Sequence, residues 1–448
     1  MFAVLGFTIL LHITVLSNLN FLPYPELFVY PYLTNKGLLP YVQILDQHFP
    51  GVMFLPINLD NLGMHTPADA RVVQFAVVIT VHIMLYFVAR RLFGSNLKAL
   101  ASNFLYLVWQ PYFEGWVLWI DSFLPVFYLL AFHQLLVYFD NKKKKHLIIV
   151  SLALGAATIF KQVVIPLVVL LCVYLYLKRR NLNEIYYFLA WYMLLPLVMV
   201  SYLFLAGVFS NFWHWTVVFN LTTFAAMGRK YVSLPELIRV GFVFSFLFLG
   251  LVYKKDRRHF ILIAVFVVGS AFAAYARFDF VHLQPALPFV ILGTVGVLTK
   301  TNSIQKLLIA VYLAGSLFIL RGFLQSHTGN RVFFFERNEI QISEKIRVLA
   351  SPGEKIFLFG VTPNIYQMTG TLPAGDIFVF QFPWFVVESE TRLLEGLARD
   401  RPRVVVADRE VTIQGAKITD YASKINRYIL ENYVEVDRVG SGQIFLKK

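Results

Sequence analysis

Long apolar runs separated by short charged loops constrain this sequence more than any other feature. About eleven segments have the length, roughly 17–25 residues, at which an α-helix crosses a bilayer. They lie at residues 2–22, 72–89, 97–113, 117–139, 146–161, 163–177, 185–207, 237–253, 260–276, 284–299 and 305–322. Because 58% of the 448 residues are hydrophobic and 15% are charged, a soluble fold could not bury the apolar excess. The sequence predicts a polytopic α-helical membrane protein.

Two of these segments have more than one interpretation. Residues 146–177 could form a single broken helix instead of two spans. Residues 1–22 have no basic segment before the apolar run and no small-residue cleavage site after it, so we expect a retained first span and not a signal peptide. The single cysteine, Cys172, excludes an internal disulfide.

Cations concentrate in every second loop, and this pattern sets the expected orientation. The basic loops contain Arg90, Arg91 and Lys98; Lys142 to Lys145; Lys178 to Arg180; Lys254, Lys255, Arg257 and Arg258; and Lys300 and Lys306. The positive-inside rule places these loops and the N-terminus in the cytoplasm. Topology therefore accounts for the net charge of +14, and we expect membrane lipids, not nucleic acid, around the chain.

The composition changes after about residue 325, as charges spread through the sequence and the apolar runs shorten. We therefore divide the chain into a transmembrane domain, 1–325, with a long first external loop at 23–71, and a C-terminal extracytoplasmic α/β domain, 326–448. Residues 355–359 and 403–407 resemble buried strands, 388–399 a helix, and 433–446 a terminal hairpin. Without a phosphate-binding glycine loop or metal-spaced Cys/His cluster, this domain is expected to act as a lid, acceptor platform or docking module.

Ionisable residues in the external loops are the candidates for chemistry, because such groups are costly near a membrane and are functional by default. The candidates in chain order are Glu26, Tyr41, Asp46, His48, Glu114, Asp121, Lys161, Arg277 and His282. Carboxylates come early and cations come late. This order suits a reaction that needs a base for an acceptor and cations for an anionic leaving group.

Structural roles compete with catalytic ones at several candidates. Glu26 could cap a loop helix or face water. Asp46 and His48 would share a side of an extended segment but point apart on a helix, and hydrogen bonding before a proline would explain them equally well. Asp279 offers Arg277 an ion-pair partner.

The remaining candidates also have structural explanations. Glu114 and Asp121 could mark the water line at two helix ends. Lys161 could extend its ammonium group to the membrane surface. Its very short loop favours a phosphate contact about as strongly.

Several short motifs, taken in order, resemble the GT-C fold membrane glycosyltransferases of the protein mannosyltransferase and aminoarabinose transferase type. The first external loop carries Tyr24-Pro25-Glu26, Gly37-x-x-Pro40-Tyr41 and Asp46-x-His48-x-Pro50-Gly51. The fifth span, 146–161, ends in Gly155-Ala-Ala-Thr-Ile-Phe-Lys161, and a late segment reads Arg277-x-x-x-x-His282-x-x-Pro285. The resemblance covers nearly the whole chain.

The resemblance implies a plasma-membrane enzyme that moves a sugar from a polyprenyl-phosphate donor to an extracytoplasmic lipid, glycan or protein acceptor, with inversion. By position in the motifs, Glu26 would be the base and Asp46 a second catalytic carboxylate. Donor phosphate contacts would be Lys161, Arg277 and His282, and acceptor or sugar contacts Tyr41, His48, Glu114 and Asp121. Many members have an Asp-Glu pair where this chain has Pro25-Glu26, so a divalent metal ion is left open and no other cofactor is implied.

Three other functions remain open from the sequence. A transporter or flippase of lipid-linked sugars would also have many spans, yet His12, His82 and His133 look like lone polar insertions and the two halves show no repeat. A glycan polymerase or ligase is a second alternative, and a non-catalytic scaffold is a third.

Overall fold

A computed structural model of the chain describes residues 1–252, 257–298 and 303–448. These residues form two compact units. The first contains residues 1–22, 71–200 and 230–331, and the second contains residues 23–70, 201–229 and 332–448.

The first unit is built from apolar helices. They are Phe2–Ser17, Pro67–Phe93, Asn96–Gln110, Ile120–Asn141, Lys144–Phe160, Ile165–Arg179, Leu182–Leu205, Leu234–Val252, Arg257–Ser270, Ala273–Ala276, Leu287–Leu298 and Ser303–His327. Within the described ranges, six helical segments are long and apolar enough to cross a membrane, and Phe2–Ser17 and Leu287–Leu298 are shorter apolar helices. The chain is therefore a helical, integral membrane protein.

Helix boundaries differ from the prediction where the backbone turns. Asn96–Gln110 ends before residue 113 because Pro111–Gly115 forms a π-helical turn. Lys161 is extended, with φ −158° and ψ 130°, and separates Lys144–Phe160 from a short 3-10 turn at Gln162–Val164. Two predicted spans end at residues 253 and 299, and these positions lie outside the described residues, as do Lys254, Lys255 and Lys300.

A network of polar side chains lies buried in the first unit. His12 Nδ1 lies 2.8 Å from His82 Nε2, and His12 Nε2 lies 3.0 Å from Gln110 Oε1. His82 Nδ1 lies 2.7 Å from Asn103 Oδ1. The interpretation of His12 and His82 as lone insertions is wrong, because buried polar groups pair with one another.

The second unit combines short helices with a sheet. Its helices are Glu26–Asn35, Gly51–Phe54, Phe209–Trp213, Phe219–Leu221, Thr223–Met227, Arg337–Leu349, Asn364–Thr369, Pro383–Asp400, Ile418–Tyr421 and Ser423–Asn432. The strands of its main sheet, in spatial order, are Tyr433–Val439, Gly442–Lys447, Val404–Ala407, Lys355–Phe359 and Leu372–Pro373. The first two pairings are antiparallel and the other two are parallel.

The predicted C-terminal elements are confirmed as local structure. Both buried strands and the terminal hairpin are present, and the predicted helix at 388–399 begins earlier, at Pro383. Residues 418–432 form two helices, Ile418–Tyr421 and Ser423–Asn432, because Ala422 leaves the helical region with φ −114° and ψ 40°.

Residues 23–70 pack within the second unit against residues from the C-terminal part of the chain. The strand Ile44–Leu45 pairs in parallel with Phe378–Val379. Tyr32 donates its hydroxyl hydrogen bond to the carbonyl of Thr371 at 3.1 Å. These contacts fix the helix that carries Glu26.

Candidate active site

The second unit contains a group that we call the carboxylate cluster: Glu26, Tyr30, Tyr41, Asp46 and His48. Glu26 is the first residue of the helix Glu26–Asn35, directly after Pro25. Proline is tolerated at a helix start because its missing N–H would have no intrahelical partner there. Tyr30 follows Glu26 by four residues, so both side chains lie on one face of the helix.

Asp46 is held by three donors. Tyr30 donates its hydroxyl hydrogen bond to Oδ1 at 2.9 Å, and the backbone N–H of His48 donates to Oδ2 at 2.9 Å. The His48 Nδ1 atom lies 3.1 Å from the same Oδ2. The chain bends at Gln47 and His48, so the two side chains meet through a local turn and not on one side of an extended segment. This local hydrogen bonding before Pro50 agrees with the structural interpretation of the pair.

Burial dominates the electrostatics of Glu26. The side chain is buried, and loss of hydration raises its pKa from 4.5 to about 8. The backbone N–H of Glu26 itself opposes this shift, and the negative charge of Asp46 adds to it. Within the described residues, Oε2 has no hydrogen-bond partner. A buried carboxyl group with a raised pKa and an unused oxygen is a candidate functional group.

Tyr41 supports the cluster in a strained conformation. Its φ of 64° lies in the left-handed region, which is costly for a residue with a bulky side chain. Its hydroxyl donates a hydrogen bond to the carbonyl of His48 at 2.9 Å. Burial raises the pKa of Tyr41, so the phenol remains a neutral donor.

The first unit contains a second group, the Asp121 cluster, formed by Asp121, Lys161 and His282. Lys161 Nζ lies 2.5 Å from Asp121 Oδ2, and His282 Nδ1 lies 3.0 Å from the same oxygen. The extended backbone at Lys161 breaks the helix at this position, and Asp121 lies in the first turn of Ile120–Asn141. Three separate segments therefore place one negative and one positive charge together in a buried site.

His282 Nδ1 lies between an acceptor and a donor. Asp121 Oδ2 is 3.0 Å away and can only accept, and Lys161 Nζ is 3.3 Å away and can only donate. Burial, reinforced by the charge of Lys161 and opposed by Asp121, lowers the pKa of His282. The low pKa favours a neutral ring, and each tautomer has a partner at Nδ1.

Glu114 lies on the π-helical turn Pro111–Gly115 and has a strained backbone with φ 57° and ψ 34°. Its Oε2 accepts a hydrogen bond from the N–H of Val281 at 2.8 Å, and its carbonyl accepts one from Gln284 Nε2 at 2.8 Å. Burial raises the pKa of Glu114 to about 7, although the Val281 bond opposes the shift. Strain and a raised pKa on one residue are typical of functional sites.

An ion-pair network continues from this turn. Arg277 Nε lies 3.1 Å and Lys230 Nζ 2.7 Å from oxygens of Asp279, and Lys230 Nζ lies 3.5 Å from Glu236. The predicted ion pair between Arg277 and Asp279 is thus confirmed.

The nine predicted residues divide between the two units. Glu26, Tyr41, Asp46 and His48 belong to the second unit, and Glu114, Asp121, Lys161, Arg277 and His282 belong to the first. Sequence reasoning missed Tyr30, which the four-residue spacing from Glu26 could have indicated. It also missed Gln284 and the backbone of Val281, for which the sequence has no comparable signal.

Metal binding has little support from the donor set. Among the described residues, no three His, Cys, Asp or Glu side chains are grouped so that they could hold a metal ion. The Asp46–His48 pair supplies two such groups at most. We therefore route no step of the proposed reaction through a metal.

Comparisons with known proteins agree with this picture of the fold. Residues 53–204 match the family model described as dolichyl-phosphate-mannose-protein mannosyltransferase. The structure of ArnT from Cupriavidus metallidurans bound to undecaprenyl phosphate matches with a TM-score of 0.60 and 11% identity, over 99% of this chain and 97% of that one. The apo state of the same protein gives a TM-score of 0.66 at 10% identity, with the same coverage.

A third solved structure extends the likeness. The archaeal oligosaccharyltransferase AglB from Archaeoglobus fulgidus, in complex with an inhibitory peptide and a dolichol-phosphate, matches with a TM-score of 0.53 and 12% identity. The match covers 91% of this chain and 69% of that one. No curated protein sequence is significantly similar to this chain.

The structural matches show the fold, and the family-model match is limited to residues 53–204. The resemblance predicted from the loop motifs is confirmed: the chain has the GT-C fold of polyprenyl-phosphate-dependent membrane glycosyltransferases.

Proposed function

We propose that this protein is a membrane glycosyltransferase that moves a sugar from a polyprenyl-phosphate donor to an acceptor on the extracytoplasmic side, with inversion. The observation that carries the proposal is the full-length structural likeness to a transferase bound to undecaprenyl phosphate. The buried carboxylate cluster adds the acid–base group that such a reaction needs. The sugar could be a hexose or a pentose, and the acceptor a lipid, a glycan or a protein.

Glu26 is proposed as the general base. An acceptor hydroxyl is a weak nucleophile near neutral pH, so a carboxylate must take its proton during attack. The hydroxyl oxygen forms a bond to the anomeric carbon as the bond from that carbon to the phosphate oxygen breaks. Glu26 receives the proton, and the polyprenyl phosphate leaves with the bonding electron pair. A single displacement of this kind inverts the anomeric centre.

Asp46 is proposed to keep Glu26 poised for this step. Its negative charge contributes to the raised pKa of Glu26. A base whose pKa is close to the working pH is better matched to proton transfer than an ordinary glutamate. Tyr30 and His48 hold Asp46 in place through the hydrogen bonds described above.

Cations of the first unit are proposed to contact the donor phosphate. Arg277 is the best placed for direct contact, because its side chain is 21% exposed and that of Lys161 is 7% exposed. Lys161 is instead proposed to hold Asp121 and His282 in place through its contacts with both side chains. Preorganised cations stabilise a developing phosphate charge at little reorganisation cost.

The remaining topology is proposed from the sequence. Eleven spans with a cytoplasmic N-terminus would place residues 326–448 and the loop 23–71 outside the cell. Membrane lipids would surround the spans, and the acceptor would approach from the extracytoplasmic side.

Glu26→Gln tests the proposed function against its closest alternatives. Cells that lack the protein should lose one modification from their envelope glycans by mass spectrometry. Glu26→Gln should not restore it, although the variant reaches the membrane in normal amount. The control is Asp60→Asn, in the same loop and bonded to Asn35, which should restore the modification.

Two outcomes would overturn the assignment. Full restoration by Glu26→Gln would remove Glu26 as the base. Passage of radiolabelled lipid-linked sugar across reconstituted vesicles without attachment to any acceptor would indicate a transporter.

A further inference from the structure

An apolar groove with two arginines runs along the first unit, and no residue of either cluster described above lines it. It has a volume of about 840 Å³ and lies between the helices Leu234–Val252 and Ser303–His327. We call it the arginine groove. The residues that line it are Tyr112, Leu234, Pro235, Ile238, Arg239, Phe242, Phe318, Ile319, Arg321, Gly322, Phe323, Gln325, Ser326 and His327.

The two arginines lie at similar positions along the groove. Leu234 at the start of one helix and His327 at the end of the other line the same end. Arg239 and Arg321 lie five and six residues from those termini, which is about 7–9 Å along a helix. Apolar residues line the groove on both sides of the arginines, with Phe242 and Phe318 farther from the termini, and no acidic residue appears in the lining. The groove thus places two cations together between apolar walls.

The arginines are available to an anion. Within the described part of the chain, neither Arg239 nor Arg321 forms an ion pair with a carboxylate. Arg239 lies 5.9 Å from the ring centroid of Tyr112. Both arginines are exposed, and a phosphate can bind a guanidinium group with paired, charge-assisted hydrogen bonds.

Packing also leaves room for a ligand beside the last helix. Only 17% of the most apolar window of Lys306–His327 is buried, against 56% for Ile120–Asn141. Gaps in a protein forfeit dispersion contacts on one side. In a bilayer, the acyl chains of lipids can fill such a gap.

We propose that the arginine groove is a binding site for an anionic glycerophospholipid of the membrane. Arg239 and Arg321 contact its phosphate, and an acyl chain occupies the apolar part beside Phe242 and Phe318. The site goes beyond the proposed transfer reaction. The proposed donor contacts Lys161, Arg277 and His282 do not line it, so the bound lipid serves as a resident ligand and not as the sugar carrier.

Native mass spectrometry of the purified, delipidated full chain tests the site. Phosphatidylglycerol and zwitterionic phosphatidylcholine are titrated separately into the detergent solution. We expect phosphatidylglycerol to be retained about tenfold more strongly, a ratio equivalent to about 1.4 kcal/mol. The double variant Arg239→Gln/Arg321→Gln should lose this preference.

A control and a second variant separate the site from general charge effects. Arg90→Gln removes an exposed arginine that does not line the groove, and it should keep the tenfold preference. Ile238→Trp fills the groove and leaves both arginines in place, so it should also weaken retention of phosphatidylglycerol.

Three results would overturn the proposal. These are an unchanged preference in the double variant, an equal loss in Arg90→Gln, and displacement of phosphatidylglycerol by an equimolar amount of polyprenyl phosphate. The last result would assign the groove to the donor.

Discussion

Glu26 is a carboxyl group that folding moves from water into a protein interior, and its titration follows from that transfer. Its pKa is raised from 4.5 to about 8, first by burial and then by the charge of Asp46. A base acts only in its ionised form, so at neutral pH most copies of the free enzyme would hold a proton on this group. The residue scale therefore sets a specific pH dependence.

We expect kcat/KM for transfer to rise about tenfold per pH unit below pH 8 and to level off above it. Initial rates with a polyprenyl-phosphate sugar in detergent, between pH 6 and pH 9, measure this profile. A profile that is flat across the range contradicts the role of Glu26 as the base.

Stability should show the opposite dependence on pH. Because the folded-state pKa is raised, the contribution of the neutral carboxyl group is complete below about pH 4.5 and is lost as the pH rises through about 8. The thermal unfolding temperature of the parent protein should fall over this window more than that of Glu26→Gln, whose amide cannot ionise. Equal slopes for the two proteins would show that Glu26 is not buried as described.

Tyr30 gives a second test at the residue scale. Tyr30→Phe removes one hydrogen bond from Asp46, a loss of about 0.5–1.5 kcal/mol, and should reduce kcat/KM roughly two- to tenfold. Tyr32→Phe is the matched control. Tyr32 lies on the same helix as Tyr30, but its hydroxyl donates a hydrogen bond to the carbonyl of Thr371 and not to Asp46. If both variants lose the same activity, the bond from Tyr30 to Asp46 has no special role.

At the scale of elements, the extended backbone at Lys161 interrupts the helix and the Lys161 side chain forms an ion pair with Asp121. Lys161 is buried against Asp121, which begins another helix. Removing one partner of a buried ion pair strands the other charge and costs about 3–5 kcal/mol, whereas replacing both with uncharged groups is often nearly neutral.

Asp121→Asn should therefore lower the thermal unfolding temperature strongly, and Asp121→Asn/Lys161→Met should recover most of the loss. Unfolding in detergent, followed by tryptophan fluorescence, measures both variants. Asp140→Asn is the control, because the Arg91–Asp140 pair is exposed and pairs of that kind contribute about 0–1 kcal/mol. A double variant no more stable than Asp121→Asn contradicts the ion-pair account.

Local elements could be predicted from the sequence much better than the contacts between them. Hydropathy locates the helices of the first unit, and short continuous apolar runs locate the buried strands predicted at 355–359 and 403–407, because both signals are contained in a short window. The contacts of His282 with Asp121 and of His12 with His82 join residues 161 and 70 positions apart. No pattern within a short window predicts contacts across such sequence separations. The left-handed backbone at Glu114 also has no sequence signal, because the residue is neither glycine nor asparagine.

At the scale of the whole molecule, the charged loops predict sidedness. In a Cys172→Ser background, Glu431→Cys should react with a membrane-impermeant maleimide added to intact cells. Lys143→Cys should react only after the membrane is permeabilised. Both positions are exposed in the structure, so access depends on the side of the membrane. The reverse labelling pattern would invert the proposed topology.

The pairing of Ile44–Leu45 with Phe378–Val379 has a consequence for biosynthesis. A ribosome completes the loop that carries Glu26 more than three hundred residues before it makes the strand that this loop pairs with. The loop therefore lacks its partner strand while every later span enters the bilayer. The proposed base acquires its dry surroundings only when translation is nearly over, so a prematurely terminated polypeptide would have no assembled catalytic loop.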